Sequence, residues 1–379
     1  MKPRVGIVGG GFAGLYTAIY LRRFYTEKQL SITLFDTKES FVFTPLLHEV
    51  FAGNLPFDLV SIPFSLLSKK YHFTFKHEHV ERIDQHTNTI ITSSSHSFDF
   101  LILATGSRTP LPLSPHPHIY DVKSSVTLLD DVQKNLPQSI VVVGAGATGV
   151  ETVCELSYLL YKKLGHTPSE VSLHLLSSTP SILPSLSSYI QKKALRALKK
   201  RHVHLHLNTK ALTVDRKGIE TSTGHMPAES IVWAAGVVPQ APSPFNGEKR
   251  IRTSSHLHIS ENTSFFVFGD VACVPHKHSR CVPSLAQSAV EEASYVARSI
   301  RASLQKKLPP PFRYKHKAVL LSLGPGKAVG ELYGIRIYGF IAWWLWRTIY
   351  LFRMPLFRKK CSIAWRWTTH LFRMKTIRT

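Results

Sequence analysis

Val5-Gly-Ile-Val-Gly-Gly-Gly-Phe-Ala-Gly14 is a short apolar, largely β-branched run that passes directly into G-x-G-x-x-G. Behind it, Leu15, Ala18, Ile19 and Leu21 recur at helical spacing. A strand before and a helix after give the glycines their meaning as a dinucleotide-binding turn. Gly9 allows the tight turn, Gly11 lets a pyrophosphate approach the backbone, and Gly14 lets helix and strand pack closely; the helix N-terminus adds amide donors and positive potential. The next strand, Leu30 to Phe35, ends at Asp36, the place for a carboxylate that accepts both hydroxyls of a ribose.

Ser139-Ile-Val-Val-Val-Gly-Ala-Gly-Ala-Thr-Gly149 repeats the arrangement, with Gly144, Gly146 and Gly149 in the glycine places and a helix pattern through Val150, Val153 and Leu156. Here the following strand, Val171 to Leu176, ends at Ser177 and carries no acid. The feature that favours NADH over NADPH is therefore missing, and no arginine takes its place for a 2′-phosphate. The competing reading is a second domain that keeps the fold and binds no nucleotide. Two more strands end in small-residue turns, at Ala104-Thr-Gly106 and Ala234-Ala-Gly236, which permit close approach of backbone to a cofactor or of chain to chain at a crossing. A further strand ends in Gly269-Asp270, where the acid can accept hydrogen bonds from a polyol or merely cap a turn.

At 379 residues the chain is expected to hold two domains and an appendage. The fold class is α/β, with two Rossmann-like dinucleotide-binding domains. A formal charge of +23 favours anionic partners: nucleic acid, an acidic lipid surface or a phosphorylated cofactor. No nucleic-acid motif accompanies it, so nucleic acid is not expected. Cys154, Cys273, Cys281 and Cys361 are far apart and form no C-x-x-C, so neither a disulfide framework nor a redox pair is expected, and a reducing compartment fits. Cys154, one turn into a helix, reads as a small packed hydrophobe. The first strand begins too early to leave room for a secretory signal.

Near the other end, Ile337 to Trp346 is the longest apolar run and is too short to span a bilayer. From Leu332 to Thr379 there are ten Lys or Arg and no Asp or Glu, interleaved with Trp, Phe, Ile and Leu. Arg366, His370 and Arg373 share one helical face, with Ile363, Trp367, Leu371 and Met374 on the adjoining one. This pattern predicts a monotopic anchor on an anionic leaflet, with Arg347 snorkelling to the headgroups. The alternative is that the apolar face packs on the protein itself or on a second subunit, as in a homodimer.

In chain order, Phe43-Thr-Pro-Leu-Leu-His-Glu49, Ala104-Thr-Gly-Ser107, Ala147-Thr-Gly-Val-Glu151, Ile231-Val-Trp-Ala-Ala-Gly236, Phe268-Gly-Asp270 and Ser284-Leu-Ala-Gln-Ser-Ala-Val-Glu291 resemble the two-dinucleotide-binding-domain flavoproteins, and among them the type II NADH:quinone oxidoreductases. The resemblance implies a fold like that of the pyridine nucleotide-disulfide oxidoreductases. Its FAD would be held by Gly9, Gly11, Gly14, Asp36, Ala104, Thr105, Gly106 and Asp270, with Val80 near the adenine, Thr44 and Pro45 beside the isoalloxazine, and Ala286 on the quinone side. NADH, with NADPH not excluded, would be held by Gly144, Gly146, Gly149, Ser177, Ala235 and Gly236. Glu151, Gln287 and Glu291 would be the catalytic residues; no metal is implied.

The implied reaction is hydride transfer to flavin and passage of two electrons to a membrane quinone, without proton pumping, by a peripheral enzyme on the cytoplasmic side. Glu151, read as an acid in a first helical turn, would be favourable there for dipole reasons alone. Glu291 stands where the family commonly has glutamine, which puts the acceptor in question. The alternatives are reduction of another acceptor and a basic flavoprotein with a binding or signalling role. The expected domains are 1–120 and 240–317 for FAD, 121–239 for NAD(P)H, and 318–379 for membrane association.

Overall fold

The computed structural model describes residues 2–121, 124–247, 249–259, 262–277, 279–315 and 318–376, with side chains given as far as residue 369. It divides into two compact units: Met1–Val42, Ser61–Arg108 and Val237–Lys315 in the first, and Phe43–Val60, Thr109–Gly236 and His316–Thr379 in the second.

The first unit is built on a five-stranded sheet in the order Phe265–Val267, Phe100–Leu103, Arg4–Val8, Ser31–Asp36, Thr74–His77, every pair parallel. Parallel sheets are covered on both faces, so their strands are apolar without alternation. Val5, Ile7 and Val8 are accordingly all buried. Helix Phe12–Leu21 follows the first glycine loop and packs on helix Ala286–Leu304. Strands Arg82–Asp84, Thr89–Ile91 and Ser95–Ser97 add a small antiparallel sheet.

Cys273 and Cys281 are joined as a disulfide in this unit, which corrects the expectation of four unpaired cysteines. Their separation of 8 residues spans a turn that brings both side chains together, a geometry no short cysteine motif announces.

The second unit repeats the plan. Its parallel sheet runs Ile119–Asp121, Ser230–Trp233, Ser139–Val143, Ser172–Leu176, Val203–His206. Onto it packs a C-terminal antiparallel sheet, Ala318–Ser322, Ala328–Leu332 and Ile335–Gly339, followed by helices Phe340–Arg353 and Phe357–Thr376. Leu321, Leu323 and Val329 from that sheet and Phe51 from the Phe43–Val60 segment share one core with Val142, Val153 and Leu156. The tail thus shares a core with the second parallel sheet.

Two expectations for the tail are corrected. Arg347 does not reach outward: it is 4% exposed, and its Nε donates to Glu49 Oε1 at 2.9 Å. Ile363 and Trp367 are also buried, with Trp367 Nε1 donating to Glu49 Oε2 at 2.6 Å. On the two C-terminal helices, the aromatic side chains exposed among the described residues are instead Phe340, Trp344, Phe352, Phe357 and Trp365, with Ile341 beside them. The side chains of His370, Leu371, Arg373 and Met374 lie outside the described residues. Among the described residues, no helix is long and apolar enough to cross a membrane.

Candidate active site

The two glycine loops have the same geometry. Gly9 and Gly144 have φ of +102° and +107°, the left-handed region that only glycine enters freely. A Cβ on Gly14 would lie 1.9 Å from the Gly9 carbonyl oxygen, and one on Gly149 would lie 1.8 Å from that of Gly144. The third glycine of each loop is therefore fixed by the chain's own packing. The middle glycines differ in kind: a Cβ on Gly11 or Gly146 would meet no protein atom within 4 Å. Each is the N-cap of its helix, so the open space faces free helical amides, the setting for a phosphate.

Around the first loop, Asp36 ends its strand and accepts from Gly10 N at 2.6 Å and Lys38 N at 2.8 Å, which fixes the carboxylate at the mouth of the cradle. Ala104 is buried, Thr105 Oγ1 donates to the Gln240 carbonyl, and a Cβ on Gly106 would again meet open space. Asp270 accepts from Ser107 Oγ at 2.8 Å, so two of the small-residue strand ends meet. Val80 is buried in this unit, and Ala286 and Gln287 form the first turn of helix Ala286–Leu304. These residues fit FAD: open space at Gly11 and Gly106, an acid for the ribose, and a second acid for a polyol.

Beside them lies a residue that sequence reading missed. Glu292, only 2% exposed, accepts from Gly269 N at 2.8 Å, and burial pushes its carboxyl up to about 8, with Asp270 adding to the effect. Its neighbour Glu291, singled out by the motif, is half-buried. Glu292 falls in helical register with Ser288, Ala289 and Val296, and that periodicity was the available signal.

In the second unit, Thr44 and Pro45 open a 3₁₀ turn over Thr44–Leu46. Gly236 is open to an added Cβ, as Gly146 is, and Ala235 precedes it. Ser177 is buried, with its hydroxyl 2.8 Å from Thr179 Oγ1, so a small neutral group stands where the first loop has Asp36. The set fits a nicotinamide nucleotide without imposing charge at the 2′-position.

Glu151 begins the second turn of helix Ala147–Tyr158, which corrects its first-turn assignment. It accepts from Ser322 N at 3.0 Å, and burial pushes its carboxyl up to about 8. One turn on, Glu155 accepts from Ser322 Oγ at 3.4 Å; burial, with Glu49 nearby, holds it well above the usual range. Glu155 was legible as the i+4 partner of Glu151. The cluster continues in Glu49, held by Arg347 and Trp367, and in the Arg347 guanidinium, 3.7 Å from the Trp343 ring centroid and 4.6 Å from that of Trp367. His48 packs its ring on Trp346 at 4.9 Å, and burial takes it down to about 4. Glu155 Oε2, His48 Nε2 and Trp346 Nε1 have no partner among the described residues. Buried polar atoms left without partners are costly, which marks this seam as a place for water or a polar ligand. Cys154 is fully buried and its thiol is pushed up to about 12, so it packs, as expected.

The family model of the pyridine nucleotide-disulphide oxidoreductases matches residues 3–293. A demethylphylloquinone reductase of Synechocystis is 26% identical over 97% of this chain and 96% of its own length. A type II NADH:quinone oxidoreductase of Staphylococcus aureus is 28% identical over 89% and 92%. Among solved structures, NDH2 of Plasmodium falciparum in complex with NADH superposes with a TM-score of 0.84 at 15% identity, covering 97% of this chain and 98% of that one. The sulfide:quinone oxidoreductase of Aquifex aeolicus gives 0.77 at 19% identity, covering 93% and 90%; both show the shared fold. The chain belongs to the pyridine nucleotide-disulphide oxidoreductase family, and its likeness to the type II NADH:quinone oxidoreductases, first read from its motifs, is borne out.

Proposed function

We propose that the protein is an FAD-dependent NAD(P)H dehydrogenase that delivers two electrons to a membrane quinone and pumps no protons. The observation that carries this reading is the pair of matching cradles, with open space at Gly11 and at Gly146, in one chain. Two nucleotide sites in a family of oxidoreductases fit a donor and a resident cofactor. Bound flavin supplies the hydride-accepting and electron-passing chemistry, and the protein supplies orientation and electrostatics.

Asp36, through the amides it accepts from, is set to hold the adenosine ribose of FAD, and Asp270 its ribityl chain. Ser177 leaves the 2′-position uncharged, so NADH and NADPH are both admitted. Glu151, with its carboxyl near 8, holds a proton at neutral pH and is able to release one without a large cost, the property wanted of a group serving quinone protonation. Gln287 and Glu291, in the first two turns of helix Ala286–Leu304, are assigned to the quinone side. Similarity over nearly the whole length of relatives named as quinone reductases supports the acceptor.

The exposed stripe Phe340, Ile341, Trp344, Phe352, Phe357 and Trp365, with Arg358 and Arg366 exposed beside it, is suited to the headgroup region of a membrane, where the quinone pool lies. The test is NADH oxidation by FAD-loaded protein with a short-chain quinone, in the unmodified chain and in Gly146→Val. The added Cβ meets no protein atom within 4 Å, so FAD content is expected to be unchanged while KM for NADH rises roughly tenfold or more. Unchanged kinetics in Gly146→Val would remove the second loop from nucleotide binding.

A further inference from the structure

A cavity of about 210 Å³ opens in the second unit between helix Ser188–Lys199 and the C-terminal sheet, and none of the glycine-loop residues lines it. It is lined by Lys193, Arg196, Lys200, Arg201, Lys327 and Tyr338 and by no acid. Spacings of three and four residues stack Lys193, Arg196 and Lys200 on one helical face, where like charges repel. Among the described residues these three form no ion pair. The acid on the neighbouring strand, Glu331, accepts from Ser187 Oγ at 2.7 Å and faces Arg336 at 3.7 Å.

The cavity is also built, not merely charged. Arg201 is anchored by donation to the carbonyls of Ala197, at 3.3 Å, and Leu323. The Lys193 ammonium sits 4.5 Å from the Tyr338 ring centroid and 5.7 Å from that of Tyr189. Two of the five cations, Lys193 and Arg201, are thus held in place, and cations gathered in this way favour an anion.

The surroundings narrow the anion. Tyr338 lies on strand Ile335–Gly339, which runs straight into helix Phe340–Arg353. Tyr338 faces the cavity and Ile335 the other side of this edge strand; Ile335, Phe340 and Ile341, around the edge from the cations, are 67%, 53% and 68% exposed. Five cations with a bare apolar edge one strand's width away match a ligand that is anionic at one end and long and apolar at the other. A soluble phosphate would leave that edge in water.

We propose that this cavity is a binding site for the phosphate headgroup of an anionic phospholipid, whose acyl chains lie along the exposed edge of Ile335, Phe340 and Ile341. The proposal rests on the membrane reading above and adds lipid selectivity, located where helix Ser188–Lys199 meets the C-terminal sheet.

The test is partition of the full-length, FAD-loaded protein onto vesicles of phosphatidylcholine alone and of phosphatidylcholine with phosphatidylglycerol. Arg196→Gln/Lys200→Gln is compared with Lys306→Gln/Lys307→Gln, an equal loss of exposed charge in the first unit. The pocket pair is expected to weaken binding to the anionic vesicles on the order of thirtyfold, with Tm and binding to pure phosphatidylcholine unchanged and the control nearly silent. Equal losses in both pairs, or none in the pocket pair, would overturn the site and leave the membrane reading standing. Failure of the unmodified protein to bind either vesicle would overturn both. Inorganic phosphate that raises Tm only with the pocket intact, with vesicle binding equal in all variants, would assign the cavity to soluble phosphate and overturn the lipid.

Discussion

Glu291 and Glu292 are neighbours on helix Ala286–Leu304, yet one is half-buried and the other is sealed against Gly269. A motif read along the chain points to the first, whereas helical register points to the second. The glycines and Asp36 were legible because their demands are local: a turn, a close approach, a strand end. For Glu155 and Glu292 only the helical register was legible; their burial was not, because it comes from chain that arrives from elsewhere. The raised carboxyl of Glu292 has a thermodynamic signature. Between its ordinary value of 4.5 and about 8, the unfolded chain gives up the proton while the folded one keeps it, so stability falls as pH rises through that window and levels off above it. Glu292→Gln keeps an acceptor for Gly269 N and removes the titration. Its Tm is expected to fall less between pH 5 and pH 8 than that of the unmodified protein, by about 2–4 °C or more. Identical slopes in thermal scans would show that Glu292 does not hold its proton in the fold.

Helix Phe340–Arg353 shows what periodicity leaves open at the scale of an element. An amphipathic pattern says that one face is apolar but not what covers it, and the tail has two apolar faces. The face carrying Trp343, Trp346, Ile363 and Trp367 covers the protein's own core; the one carrying Trp344, Phe352, Phe357 and Trp365 is left exposed. Arg347 belongs to the covered face because its partner, Glu49, lies 298 residues earlier, beyond the reach of any local pattern. Removing one member of a buried ion pair strands the other charge, at a cost of about 3–5 kcal/mol, whereas replacing both is far milder. Arg347→Met should therefore lower unfolding free energy in urea by that amount. Glu49→Gln/Arg347→Met should recover most of it. A single variant as stable as the parent would mean that the pair does not hold helix Phe340–Arg353 to the Phe43–Val60 segment.

Across the whole molecule, the repeated plan was the most legible feature, since each glycine loop declares a strand, a turn and a helix within about thirty residues. The grouping of Phe43–Val60 and the tail with the second sheet was not, because it is made by long-range packing of Phe51, Leu321 and Val329 into one core. The Cys273–Cys281 bridge was hidden for another reason: its cysteines are 8 residues apart, and only the turn between them, not a short cysteine motif, brings them together. What the two sheets share is a cradle with a free middle, and what distinguishes them is the group at the ribose position, Asp36 in one and Ser177 in the other. On the reading proposed above, the first holds the resident cofactor and the second an exchanging nicotinamide donor. Anaerobic stopped flow on the FAD-loaded protein tests this division directly. Mixing with NADH or NADPH is expected to bleach the flavin rapidly, and a quinone analogue added next to restore its colour; a flavin that neither coenzyme bleaches would contradict the assignment of the second cradle to a hydride donor.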